Sequence, residues 1–390
     1  MAVAPRARLS LPRAEPASEG VDPERLERLY RVIEGHISDG QYPGAQVAVA
    51  RRGKLLALRS FGQDRTLPGP RAASDETLWL LFSQTKVITA AAIWVLVEQG
   101  ALTFNDRIAD HVPEFAANSK GEITLHQVLS HQAGYPSARP TSEVWADHDL
   151  LRKRVCDFEL EWWPGSRVHY HGASAHWTCA VLIEAITGRD YRDFIRSEVL
   201  DPLGLDDIYV GVPSEAQERC ADMHVVTDGV VESAGSRPGA SPDEQQNGPE
   251  FRAAGIPGGG GYATAAALQA FYQMLAAGGT LNGKRLFSPR LIRWVTSNQT
   301  GDRIDESFGI QMHRGLGPHV RGTTPVIRGL GSFAPPGTFG HGGAGSSYSW
   351  ADPESGLSFT YLTNARSEEP WHSRRLDQVS NLAHASLVDL

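Results

Sequence analysis

Apolar residues first fall at helical spacing at Leu26, Leu29, Tyr30 and Ile33, behind Asp22-Pro23, an N-cap with proline at the first helical position. That pattern runs to about Gly40, and two strand-like runs follow at 45–51 and 55–61, joined as a hairpin at Arg52-Gly53. An apolar run then breaks at Ser83, where a helix begins that lasts to about Gly100, a residue suited to the position just past a helix end. From about 103 to 260 the character changes: short helical segments at 125–130, 147–158, 173–187 and 191–200 alternate with turns rich in Pro, Gly, Asp and His. The stretch 229–249 is polar with little periodicity and reads as a long surface loop. A glycine run at 258–261 precedes a helix over 265–277. Strand signals return at 340–343, 346–351 and 357–364, with a turn at 352–356, and a helix over about 374–388 follows.

Strands near both ends with a helical stretch between them predict an α+β fold: one antiparallel sheet assembled from distant segments and flanked by helices. The expected division is an α/β domain of residues 20–105 and 265–390, interrupted by a mainly helical insert at 106–264. With 390 residues the chain can bury a large core, and 41% hydrophobic and 21% charged residues are ordinary for a globular protein. A net charge of −8 and no dense basic patch argue against a nucleic acid partner. The longest apolar runs, such as 90–97, are too short to span a bilayer, and residues 1–20 lack the apolar stretch of a signal peptide. Cys156, Cys179 and Cys220 are an odd number at unrelated spacings, which fits a reduced cytoplasmic protein without a disulfide framework. No cofactor is expected, and the pattern leaves the oligomeric state open.

The chemistry concentrates at Ser83-Gln84-Thr85-Lys86. Residues three apart share a helix face, so a hydroxyl at the first turn lies beside the lysine amine. An apolar helix face disfavours the charged amine, a neutral amine can take the serine proton, and the helix N-terminus favours an oxyanion. Ser-x-x-Lys alone recurs by chance, but only five lysines stand against thirty-two arginines, and this one leads into Val-Ile-Thr-Ala-Ala-Ala-Ile-Trp. A third group is offered by Tyr170, near a helix start, either as a proton relay or as a core tyrosine. His169 and His171 alternate as strand neighbours, but no further ligands lie nearby, so no metal site is expected. The glycines of 340–345 let backbone approach a ligand, with the Ala344 N–H as a second oxyanion donor beside that of Ser83. The run 257–261 lacks the Lys-Ser/Thr of a phosphate loop.

Together these stretches make the chain resemble the serine β-lactamase and penicillin-binding-protein superfamily, closest to the class C-related group with family VIII carboxylesterases and D-Ala carboxypeptidases. Ser83-Gln84-Thr85-Lys86 matches the family's S-x-x-K, Tyr170-His171-Gly172 matches Y-x-N at the tyrosine only, and His341-Gly342-Gly343 stands where K-T-G belongs. Leu129-Ser130-His131-Gln132-Ala133-Gly134 and Asp201-Pro202-Leu203-Gly204-Leu205 resemble two further family segments, so the likeness runs from about residue 20 onward. The resemblance implies acyl transfer through Ser83, with Lys86 and Tyr170 sharing the base role in an order it leaves open. It also implies that His341 orients the Tyr170 hydroxyl or a substrate oxygen, its charge state tuning activity near neutral pH. Gly342, Gly343, Tyr135 and Trp145 are expected to bind substrate, and Trp163 is a further pocket candidate. Gly172 and His341 replace the residues that hold the amide and carboxylate of a β-lactam or peptide, which favours neutral esters as small-molecule substrates. The rival readings are a β-lactamase or D-Ala-D-Ala carboxypeptidase, an acyltransferase to a small alcohol, and a non-catalytic scaffold.

Overall fold

Asp22 starts the first helix, α1 (Pro23–Ser38), by accepting from the Glu24 N–H at 2.8 Å, with Pro23 preset for the first turn. Such a cap is worth about 1 kcal/mol. Burial of Leu26, Leu29, Tyr30 and Ile33, at roughly 1.5–3 kcal/mol each, outweighs it, so the apolar stripe decides where α1 lies. The stripe shares a hydrophobic cluster with Val47 and Val49 of β1 (Gly44–Arg51), while Ala48 and Ala50 of the same strand join a second cluster. That is the period-2 alternation of a strand buried on both faces. The chain turns at Arg52-Gly53, with φ of 48° and 81°, into β2 (Lys54–Arg65), which pairs with β3 (Arg71–Ala72). This is a computed structural model, and it describes residues 11–389 except 68, 228–229, 234–244 and 326–328.

The rest of the sheet comes from the far end of the sequence: β4 (His319–Val320), β5 (Phe339–Gly342), β6 (Tyr348–Asp352) and β7 (Leu357–Thr363). The order is β4-β5-β6-β7-β1-β2-β3, antiparallel throughout. The seam between chain ends is β1 on β7, in register from Ala45 opposite Thr363 to Arg51 opposite Leu357. On the alanine face lie α2 (Thr85–Glu98), α3 (Ser174–Thr187) and α4 (Ala265–Ala276), with α4 packed on β1, β6 and β7. On the valine face α1 packs against α5 (Trp371–His384). The expected antiparallel sheet flanked by helices is the fold found.

Between 106 and 264 the regular elements among the described residues are helices more often than strands, and α3 and the π-helical turn Ile195–Leu200 pack on α2. A small antiparallel sheet of Trp79–Leu80, Gly261–Ala263 and Ile208–Val210 ties this stretch to the segment entering α2. Two local expectations are corrected. The α-helix begins at Thr85 and not at Ser83, after a 3-10 turn over Phe82–Gln84 whose first residue, Phe82, takes a positive φ of 47°. Within the expected loop at 229–249, Val230–Ser233 forms a strand paired with His224–Thr227, and Pro249–Ala254 is helical; 229 and 234–244 lie outside the described residues. The partner strand His224–Thr227 is itself held by Ala365–Ser367, a long-range pairing that local polarity does not signal. Among the described residues no helix is long and apolar enough to cross a membrane.

Gly340 of β5 has no room for a side chain: a Cβ there would stand 2.2 Å from the Ser349 carbonyl oxygen, on the paired strand β6. Gly340→Ala is expected to lower unfolding free energy by about 1–3 kcal/mol, the usual cost of overpacking, read from the urea midpoint. A midpoint equal to wild type would contradict this register.

Candidate active site

The turn that carries Ser83 is strained and pinned. Phe82 is a bulky residue in the left-handed region, a conformation that persists only where surroundings enforce it. Here Leu81 N–H donates to Gly261 O at 2.8 Å, Thr85 Oγ1 donates to Phe82 O at 2.6 Å, and Gly261 N–H donates to Thr85 Oγ1 at 2.9 Å. Ser83 is thereby held at the mouth of α2, partly exposed, with Lys86 one turn further on.

Lys86 is fully buried, and its Nζ lies 3.1 Å from Ser83 Oγ, 2.8 Å from Gly172 O and 2.6 Å from Gly258 O. Burial, aided by the positive charge of Arg314, pulls its pKa down from 10.5 to about 7. A neutral amine in this position donates to the two carbonyls and keeps its lone pair for the Ser83 hydroxyl. Tyr170 completes the group, its ring centroid 5.2 Å from Lys86 Nζ. Burial raises the phenol to about 12, and the Ser83 hydroxyl and Arg314 pull partly against that. The segment of Tyr170 is clamped from outside: its N–H donates to Ser307 Oγ at 2.7 Å, and Glu306 N–H donates to Val168 O at 2.9 Å.

The structure thus brings Ser83, Lys86 and Tyr170 together. Ala344 also faces the cleft, and its N–H and that of Ser83 donate to no backbone acceptor among the described residues. His341 sits behind Tyr170 with ring centroids 6.3 Å apart and its Nδ1 2.9 Å from Gly342 O. Its Nε2 is buried without a hydrogen-bond partner among the described residues, and no hydrogen bond joins it to Tyr170. Burial, with Lys86 nearby, holds its pKa well below the usual histidine range. That direction favours a neutral ring near neutrality and so runs against the expectation that its charge state tunes activity there.

The cleft beside Ser83 has a volume of about 490 Å³. Trp145, Trp177, Phe251 and Ile256 form its apolar wall, and Ser137, Arg139, Gln246 and Arg366 its polar side. Trp145 is therefore where it was expected. Tyr135 is not: its ring packs on Phe115, Phe158 and His171, and its hydroxyl lies 3.2 Å from Thr178 Oγ1, deep in the core. Trp163 is 67% exposed and outside the cleft lining. Gly342 and Gly343 do not line it either; a Cβ on Gly343 would stand 2.8 Å from Leu81 O, so glycine lets the end of β5 approach the Ser83 turn.

His169 and His171 are engaged elsewhere, Nδ1 of His169 with Ser307 Oγ at 2.9 Å and Nε2 of His171 accepting from the Gly134 and Tyr135 N–H groups at 3.1 Å each. His148, Glu184 and Asp190 also cluster, outside the cleft lining, but the Arg192 guanidinium already supplies the cation there, 2.5 Å from Asp190 Oδ2 and 3.2 Å from His148 Nε2. Missed by sequence reasoning were Trp177, Phe251 and the pair Arg314–Asp305, whose 2.5 Å contact is buried behind Tyr170. No local pattern marks any of them.

The Beta-lactamase family model matches residues 29–383. Esterase/beta-lactamase LipL of Mycobacterium tuberculosis is 29% identical over 340 residues, covering 81% of this chain and 74% of that one. A putative D-alanyl-D-alanine carboxypeptidase of Escherichia coli is 25% identical, covering 91% and 85%. Among solved structures, a penicillin-binding protein homologue from Caulobacter crescentus superimposes with a TM-score of 0.80 at 29% identity, covering 94% of this chain and 99% of that one. A family VIII carboxylesterase gives 0.78 at 27%, covering 93% and 99%.

Lys86 also sets a stability slope. Folded Lys86 loses its proton near pH 7 and the unfolded side chain near 10.5, so between them the unfolded state holds more protons. Stability therefore rises with pH across that window, by up to ~1.4 kcal/mol per unit from this group. Lys86→Met removes the contribution: the wild-type-minus-variant difference in unfolding free energy should climb from pH 7 to 10. A difference flat with pH would mean that Lys86 is not depressed.

Proposed function

Because the chain belongs to the beta-lactamase family, we propose that it is a serine hydrolase that cleaves carboxylic esters through an acyl-enzyme on Ser83. The observation that carries this reading is the buried lysine whose Nζ stands 3.1 Å from a partly exposed serine hydroxyl. The esterase names of LipL and the family VIII carboxylesterase support the substrate class.

The Ser83 proton passes to neutral Lys86, in exchange with Tyr170, as Oγ bonds to the ester carbonyl carbon. The carbonyl electron pair moves onto oxygen, where the N–H groups of Ser83 and Ala344 stabilise it. Collapse breaks the bond to the alkoxy oxygen, which leaves as the alcohol with a proton delivered through Tyr170. Water then attacks the acyl carbon and gives its proton to the same pair, which passes it to Ser83 Oγ as the acyl–Oγ bond breaks and the acid leaves. Gly172 offers no side-chain amide to a peptide or β-lactam, His341 is neutral, and the cleft wall of Trp145, Trp177, Phe251 and Ile256 suits an apolar acyl or alcohol group.

One observation favours a second reading, a β-lactamase or D-Ala carboxypeptidase. Arg139 and Arg366 border the cleft, and neither is paired with a carboxylate among the described residues, so a substrate carboxylate has cations to meet. The name of the Escherichia coli relative points the same way.

With p-nitrophenyl butyrate, Ser83→Ala should lose about 10³-fold or more in kcat/KM, and a fluorophosphonate should add its mass to Ser83. An unchanged rate, or an adduct elsewhere, would refute the nucleophile. Tyr170→Phe should cost about 10²–10⁴-fold. The wild-type rate should rise with pH through an acid limb near 7, where Lys86 deprotonates. Nitrocefin turnover exceeding that of the ester would put the second reading first.

A further inference from the structure

The strand bearing His341 contributes no cation to the site, yet a permanent positive charge lies directly behind the reacting groups. Arg314 is 1% exposed, and its guanidinium carbon sits 4.8 Å from the centroid of the Tyr170 ring. Its Nε and Nη2 donate to Asp305 Oδ2 at 3.0 and 2.5 Å, and its Nη1 donates to His319 Nε2 at 2.5 Å. Asp305 in turn holds the backbone of Tyr170: its other oxygen accepts from the Tyr170 N–H at 3.3 Å and from the Ser307 N–H at 3.0 Å. The tyrosine is thus fixed twice by one ion pair, at its backbone by the carboxylate and at its ring face by the guanidinium.

Stability alone does not account for this placement. A buried ion pair contributes little net stability compared with apolar residues of the same volume. A planar, always-charged group stacked on a phenol does something an apolar residue cannot: it favours electron density on that ring and opposes a second positive charge nearby. We propose that Arg314, anchored by Asp305, is the positioning residue of the Ser83 site, fixing the Tyr170 ring and setting one permanent positive charge behind both Tyr170 and Lys86. This rests on the serine–lysine reading above.

The other groups facing the pair do not supply that charge. Around Tyr170 stand Ser83, Lys86, His131 at 4.8 Å between ring centroids, His319 at 6.4 Å and His341 at 6.3 Å. Around Lys86 stand Ser83, Tyr170, His131, His176 and His341, and burial holds those three histidines well below their usual pKa, hence neutral. Asp305 is the carboxylate acting on Tyr170, and its Oδ2 is engaged by Arg314. The field of Arg314 lowers both Lys86 and Tyr170, so its removal should raise both.

The test is the pH dependence of kcat and KM with p-nitrophenyl butyrate for Arg314→Met/Asp305→Asn, which removes both charges so that no lone carboxylate stays buried. The acid limb should move up by on the order of one pH unit, and kcat at pH 7 should fall at least about tenfold with KM nearly unchanged. A limb at its wild-type position would overturn the proposal, as would a loss of kcat no larger than the loss of folded protein seen by near-ultraviolet circular dichroism. Arg314→Lys keeps the charge without the planar fork and serves if the double variant does not fold. It should leave the limb in place while lowering kcat, and a wild-type kcat in it would equally refute the positioning role. Lys86→Met, treated with fluorophosphonate, separates the two levels. Labelling at the wild-type rate would sink the serine–lysine reading itself, whereas no labelling with an unmoved limb in the double variant sinks only the role of Arg314.

Discussion

A lysine sealed in an apolar helix start, with a serine hydroxyl as one of three partners, is the constraint on which the site depends. Buried from solvent, Lys86 holds its proton weakly, and it is placed by chain segments far apart in sequence: the Ser83 turn, the Gly172 carbonyl and the Gly258 carbonyl. A Cβ on Gly258 would stand 3.2 Å from Nζ, so even the glycine there serves the close approach of backbone to amine. The small sheet joining Trp79–Leu80, Gly261–Ala263 and Ile208–Val210 keeps these segments in register. The large sheet does the same for the opposite wall, where β5 ends at Gly342 and hands Ala344 to the cleft.

What was legible in the sequence was what local spacing encodes. Ser83 and Lys86 are three apart on one helical turn, so their meeting follows from geometry, and the alternation in β1 and the stripe of α1 report burial directly. Tyr170 and Ala344 could be named as candidates from their local setting, but only motif order placed them with Ser83, since nothing local says that residues 170 and 344 share a cleft with 83. Tyr135 and Trp163 show the limit from the other side. An aromatic ring fits a pocket, a core or a surface equally well by composition, and only packing sent the first to the core and the second to solvent.

Arg314 and Asp305 were invisible for a related reason. One arginine among thirty-two in a turn-rich stretch has no periodicity to betray it, and its value lies in contacts with His319, Tyr170 and Asp305 that the tertiary fold alone creates. β4, two residues long, escaped similarly, although it delivers His319 to the edge of the sheet beside Arg314. Arg314 stands buried behind the tyrosine, while Arg139 and Arg366 border the cleft and have no carboxylate partner among the described residues.

The central claim is that Lys86 loses its proton near pH 7 in the free protein, far below an ordinary lysine. With five lysines in the chain, 13Cε-labelled lysine gives few enough resonances to follow each through a pH titration by NMR, with Lys86→Met assigning the one that matters. The Lys86 resonance should titrate near pH 7. A midpoint near the ordinary lysine value, about 10.4, would contradict the claim that burial prepares this amine as a base.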